Sequence, residues 1–173
     1  ELQERARHRA EWLAASADIT AGLVASRDLG TSLQLIADRA RRTAGADVAW
    51  IVAGVDPESL KVRAVSGLPT TAEAVVLGLD VQNTLTRDVV VTGEVFLSPD
   101  LSADPRARLP VVEGFPALGP AVVVPFRSTP GGHGALALAW RSGTPLDPGR
   151  LDASLPAAFA EQATLALEVA RAR

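Results

Sequence analysis

The sequence predicts an α+β fold, and three observations carry the prediction. Apolar residues recur at helical spacing near both ends of the chain. Two pairs of short apolar strands are each joined by turn-forming residues, and residues 66–120 between the pairs show no sustained period. A chain of 173 residues can bury one substantial core but is short for two, so a single domain with appended ends is expected.

Within residues 7–24, Trp12, Ser16, Ile19 and Leu23 share one helical face, with Leu13 and Val24 beside them, which predicts a long first helix. Asp28-Leu29-Gly30-Thr31 interrupts it. Leu33, Ile36, Ala37, Ala40 and Ala44 then predict a second helix, stopped at Gly45, because glycine enters the left-handed cap conformation without steric cost. Residues 48–55 read as a strand, Asp56-Pro57-Glu58-Ser59 as a turn, and residues 60–65 as the returning strand. In the middle, Thr70 and Glu73 have capping-box spacing for a short helix. Asn83 or Thr84 suits the cap of another, holding Leu85 and Val89 before Gly93, although Val89-Val90-Val91 also fits a strand. A short strand at 95–97 leads into residues 98–105, where prolines among Asp and Ser residues break regular structure. Residues 121–127 and 133–141 are two strong strands joined by Ser128-Thr129-Pro130-Gly131-Gly132. Leu155, Phe159, Ala163 and Leu167 then recur every four residues, with Ser154 as cap and Pro156 in the first turn, so the chain closes on a helix.

The composition excludes several kinds of chemistry. Of the residues, 47% are hydrophobic, yet the aromatics are three Trp and four Phe with no Tyr, so Val, Leu, Ile and Ala must do most of the packing. The absence of cysteine removes disulfides, thiolate nucleophiles, thiolate metal sites and thioether-linked chromophores. A net charge of −3, with both signs interspersed, builds no broad positive field for phosphates, so nucleic acid is not an expected partner. No apolar run approaches the roughly 18 residues that would span a bilayer, and the charged residues 1–9 are unlike a signal peptide. A cytoplasmic location without membrane insertion is expected. The start at Glu1 without Met and the helical pattern running to Arg173 suggest a segment of a longer protein.

The candidate chemical groups are few. His8 stands between Arg7 and Arg9 and lacks the acidic neighbour that helps activate a phosphoacceptor histidine. His133 follows glycines at a hairpin, where a solvated surface position is expected. No Gly-x-Ser-x-Gly elbow occurs. Gly131-Gly132-His133-Gly134 precedes a strand and lacks a following Lys, so a turn is expected there rather than a phosphate loop. Asp80, Asp88, Glu94, Asp100 and Asp104 lie along the irregular middle, where they serve as caps and solubilising groups or include a carboxylate pair. Trp50 and Trp140 sit in strands, as packing residues or as walls of a pocket.

These pieces in their order resemble a known family. Residues 33–46 followed by the strand at 48–55, then Val91-Thr92-Gly93-Glu94-Val95-Phe96, Ala121-Val122-Val123-Val124-Pro125-Phe126-Arg127, Gly134-Ala135-Leu136-Ala137-Leu138 and Phe159-Ala160-Glu161-Gln162-Ala163 resemble a GAF domain over nearly the whole chain. A closer similarity is to the second GAF domain of actinobacterial two-component sensor histidine kinases of the hypoxia- and redox-sensing kind. The resemblance implies an antiparallel sheet with the N- and C-terminal helices on one face and a pocket under an irregular segment on the other. It divides the chain into an incoming linker helix at 1–27 and a single GAF domain at 28–173. In such kinases a first GAF domain carries haem on a histidine after Gly-Phe-Pro. Here Gly114-Phe115-Pro116 is followed by Ala117-Leu118-Gly119, so haem is not expected. Bilin attachment and the methionine sulfoxide reductase branch both need cysteine, and the Asn-Lys-Phe-Asp-Glu signature of cyclic-nucleotide GAF domains is unmatched.

The expected function is therefore non-catalytic: a signalling module of a sensor histidine kinase, linked in one chain to a kinase core and a neighbouring sensor domain. It would work as a homodimer paired through Trp12, Leu13, Ile19, Leu23, Phe159 and Leu167. The alternative is a sensor attached to a phosphatase or a transcription regulator, binding an unidentified small ligand among Trp50, Leu85, Val89, Phe96, Phe115 and Trp140.

Overall fold

Asp28 marks the start of the first described helix. Its carboxylate accepts from the Thr31 amide at 3.1 Å and from the Thr31 hydroxyl at 2.8 Å, so it caps the orphan N–H groups of a helix whose first turn contains Gly30. The computed structural model describes residues 28–82, 84–105, 107–128, 132–145 and 153–171, together with Ala10. The expected helix carrying Trp12, Leu13, Ile19 and Leu23 lies outside the described residues, as does the candidate cap Asn83.

Helix α1 spans Leu29–Ala44 and ends on Gly45 at φ 67°, the left-handed cap its position predicts. Strands β1 (Val48–Gly54) and β2 (Lys61–Ser66) flank a short 3-10 turn, Pro57–Ser59, capped by Asp56. Helix α2 (Thr70–Val76) has Pro69 at its N-cap and no side-chain cap bond, so the capping box expected from Thr70 and Glu73 does not form. Helix α3 (Leu85–Thr92) is capped by the Thr84 side chain and ends on Gly93 at φ 72°. The Val89-Val90-Val91 run is helical. Both caps are in place, and Leu85, Val89 and Val90 are buried together, so packing overrides the β preference of valine. Strands β3 (Phe96–Ser98), β4 (Leu118–Ser128) and β5 (Gly132–Arg141) follow, and helix α4 (Ser154–Arg171) closes the chain with Pro156 in its first turn.

The strands form one antiparallel sheet in the order β2-β1-β5-β4-β3. Helices α1 and α4 cover one face. Leu33, Ile36 and Ala40 of α1 and Phe159 and Ala163 of α4 pack there against Ile51, Leu136, Leu138, Trp140, Val122, Val124 and Phe126. On the other face, Val52, Val62, Val65, Val123, Ala135 and Ala137 meet α3 and the end of α2.

Two irregularities decide which side chains reach which face. Ile51 pairs with Ala64 but Val52 pairs with Val62, so Arg63 is an extra residue in β2. That bulge breaks the alternation and puts Val62 and Val65, three residues apart, in the same cluster away from α1. In β4, Leu118 pairs with Arg141 and Ala121 with Ala139, and the added residue likewise places Leu118 and Ala121 together. Gly134 is required by close packing. A Cβ there would lie 2.3 Å from Cζ of Phe126 and 2.6 Å from the carbonyl oxygen of Val52.

The outer edge of β2 is occupied along its length. The side chain of Gln34 donates to the carbonyl of Val65 at 2.7 Å and accepts from its amide at 3.4 Å. Further along, the amide of Val62 donates to the Leu79 carbonyl, and the Gly78 amide donates back to Val62, at 3.0 and 2.9 Å. This closes the exposed edge and anchors the chain segment at 78–81.

Candidate functional site

The face of the sheet without the long helices holds an apolar cavity of about 150 Å³. Trp50 of β1, Val62 and Val65 of β2 and Val123 of β4 supply its sheet wall. Opposite them stand Val76, the 79–81 segment, Thr84, Leu85 and Thr86 at the start of α3, Leu101, residues 107–110 and Phe115.

Local hydrogen bonds hold this cover, because a segment without regular structure must satisfy its polar groups in turns. The Gln82 side chain donates to the carbonyls of Pro57 and Glu58 at 3.1 and 2.8 Å, and the Gln82 amide donates to the Asp80 carboxylate at 3.0 Å. The Thr84 hydroxyl donates to the Val81 carbonyl while accepting from the Arg87 amide. The Asp100 carboxylate accepts from the Ser102 amide and hydroxyl at 3.1 and 2.6 Å. Further on, the amides of Ala107 and Phe115 donate to the carbonyls of Asp104 and Val112, both at 3.0 Å.

Of the six residues expected to line a pocket, Trp50, Leu85 and Phe115 lie on the cavity wall. Val89 and Phe96 pack on the same side of the sheet without lining it. Trp140 does not belong to this side. It is 1% exposed among the residues beneath α1 and α4, and its indole Nε1 donates to the Gly45 carbonyl at 2.9 Å, which ties the end of α1 to β5. The register requires this. Trp50 pairs with Ala137, paired residues share a face, and Trp140 is an odd number of residues further on. Wall residues Val62, Val65, Thr86, Leu101 and Leu109 were not singled out from the sequence. The two valines depend on the β2 bulge, and the others lie where no periodic pattern points to a wall.

Phe159 and Leu167, expected on a pairing surface, are 0% and 7% exposed and pack inward against the chain's own sheet. Among the described side chains of α4, Leu165 is the large apolar one left exposed. Among the described residues, the five carboxylates of the middle segment are exposed or half-buried, and no cluster of three acidic or histidine side chains is placed to hold a metal. No helix among them is long and apolar enough to cross a membrane.

Haem does not fit this cavity. An axial iron ligand must come from His, Cys, Met or Tyr. The chain contains no Cys, Met or Tyr, and no histidine is on the described wall. His133 is half-buried at the hairpin end of β5, paired with Gly54 and Arg127.

A family model described as GAF domain matches residues 26–168. Among curated proteins none matches the sequence. Several solved structures share the fold. The GAF domain of a phosphoenolpyruvate-protein phosphotransferase from Coxiella burnetii is 18% identical, with 95% of this chain and 96% of that one covered at a TM-score of 0.77. Free methionine-R-sulfoxide reductase from Neisseria meningitidis, solved with its substrate, is 17% identical over 94% and 92% at 0.71. The second GAF domain of DevS from Mycobacterium smegmatis is 26% identical over 84% and 96% at 0.59. The cysteines that the resemblance implies for the sulfoxide reductase branch have no counterpart in a chain without cysteine.

Proposed function

We propose that this chain, which belongs to the GAF family of non-catalytic sensory and regulatory modules, senses a small, mainly apolar molecule and relays its presence to the terminal helices. The observation that carries this reading is the cavity of about 150 Å³ between Trp50 and Val123 of the sheet and Leu85, Leu101 and Phe115 of the cover. A cavity of this size with aliphatic and aromatic walls can hold a molecule the size of benzene. Strand β4 supports the relay, because it touches α3 on one face and α4 on the other. A ligand that binds two arrangements of the cover unequally would bias the packing of α4 by its differential affinity.

The test is a thermal-shift screen of the chain against small apolar compounds. Saturation at about 100 times Kd should stabilise the native state by about 2.7 kcal/mol. A screen in which no compound raises the unfolding temperature defeats the reading.

For the parent protein, we read residues 28–173 as the GAF domain and 1–27 as its incoming helix. The parent is a cytoplasmic two-component sensor histidine kinase that acts as a homodimer and carries a second sensor domain. The 26% identity with the second GAF domain of DevS supports this reading. With Phe159 and Leu167 buried inside one copy, pairing would use the outer side of α4, including Leu165. Sedimentation at high concentration that shows only monomer would count against the pairing.

A further inference from the structure

The aromatic side chains divide between the two faces of the sheet. Phe126, Trp140 and Phe159 are buried beneath α1 and α4, where they fill the core. Trp50 and Phe115 are half-buried on the opposite face, and both line the cavity. Two apolar clusters meet there, one including Val65 and Val123 and the other Leu85 and Leu101. Trp50 and Phe115 each pack against both clusters, so their side chains, and not only their backbones, bound the space. Trp50 pairs with Ala137, a member of the first cluster, so the register directs the indole to this side.

Resting on the sensing role proposed above, we infer that the ligand is a neutral aromatic ring, held by Trp50 from the sheet and Phe115 from the cover. Ring-to-ring contacts in offset-stacked or edge-to-face geometry stabilise beyond the area they bury, whereas a saturated ring of similar size gains the area alone. The cavity of about 150 Å³ matches one benzene-sized ring. The wall's two charged residues, Asp80 and Arg108, are both exposed and opposite in sign, and the Asp80 carboxylate already accepts from the Gln82 amide at 3.0 Å. An ionised ligand therefore finds no buried counter-charge on this wall to offset its desolvation.

Calorimetric titration of the chain with benzene, cyclohexane, benzoate and tetramethylammonium tests this. Cyclohexane, with more carbon-bound hydrogen surface to bury, would bind at least as tightly as benzene on area alone. Benzene should instead bind about two- to twelvefold more tightly, the range of one ring-to-ring contact, and more tightly than either ion. Trp50→Leu and Phe115→Leu keep the wall apolar and remove one ring each, so each should reduce the benzene preference while cyclohexane binds as well as before. Trp50→Phe, which keeps a ring, should retain the preference and guards against a leucine variant that fails to fold. Benzene binding no better than cyclohexane overturns the inference and leaves the sensing role standing. A preference that either leucine variant leaves unchanged also overturns it, as does an ion as the tightest ligand. If none of the four binds, the sensing role fails with it.

Discussion

The two faces of the sheet are covered on different plans. On one, helices of 16 and 18 residues lay continuous apolar stripes over Ile51, Leu136, Leu138 and Trp140. On the other, helices of 7 and 8 residues and a run of turns lie over Val52, Ala135, Ala137 and Val123. A long amphipathic helix presents side chains to a sheet without a gap. Short helices and turns must direct much of their backbone toward local hydrogen bonds, as Gln82, Thr84 and Asp100 show, and they tile a flat surface incompletely. The first face is therefore packed without a gap, while the second buries its own apolar residues and still leaves a space beneath its cover.

Phe159→Ala provides the most severe test of that contrast. Removing a fully buried ring from beneath α4 should cost about 3–5 kcal/mol in denaturant unfolding. A loss below about 1 kcal/mol would mean that the helix-covered face can collapse into the gap and is not tightly packed.

A finer comparison adds carbon on each side. Ala163→Val, at a fully buried position of α4, should destabilise by about 1–3 kcal/mol through overpacking. Val65→Ile adds one methylene where the cavity leaves room, so it should change stability by no more than about 0.8 kcal/mol, toward greater stability. It should also weaken benzene binding. Equal costs for the two substitutions would show that the cavity closes in solution.

The smallest effect concerns the entry to α1. The Thr31 hydroxyl, then the Thr31 amide, hold the Asp28 carboxyl below its ordinary value of 3.8. Because the folded state binds this proton less readily than the unfolded state, the contribution is fully present above about pH 4 and is lost as pH falls through the lowered folded value. Asp28→Asn keeps a cap acceptor without the titration. Between about pH 6 and pH 3 its denaturation midpoint should therefore fall less than that of the unaltered chain. Parallel acid profiles would remove Asp28 as the cause.

Much of the helix-covered face can be read directly from the chain. Leu33, Ile36, Ala37 and Ala40 mark the buried stripe of α1, and Phe159, Ala163 and Leu167 mark that of α4, because a helix repeats its own inward face every three or four residues. The signal says nothing about what the stripe meets. Phe159 and Leu167 thus read equally well as a surface for a second copy, and only the presence of the sheet beneath them shows that they are spent within the chain. Half of the expected pocket was legible in Trp50, Leu85 and Phe115, which stand in or beside the irregular cover or the first strand.

What the sequence determined by itself was local: the cap at Gly45, the alternation of Ala and Leu along β5, the turn-rich middle and the lack of any cysteine chemistry. Which phase of each alternation faces the cavity was a tertiary decision. Trp140 lies under α1 while Trp50 lines the cavity because the β1–β5 register places them on opposite sides, and Val62 joins Val65 because Arg63 is bulged out. A strand's side chains alternate whichever way the sheet is turned, so the pattern along one strand carries the period and not the direction. Pairing with neighbours and the helices laid against them supply the direction.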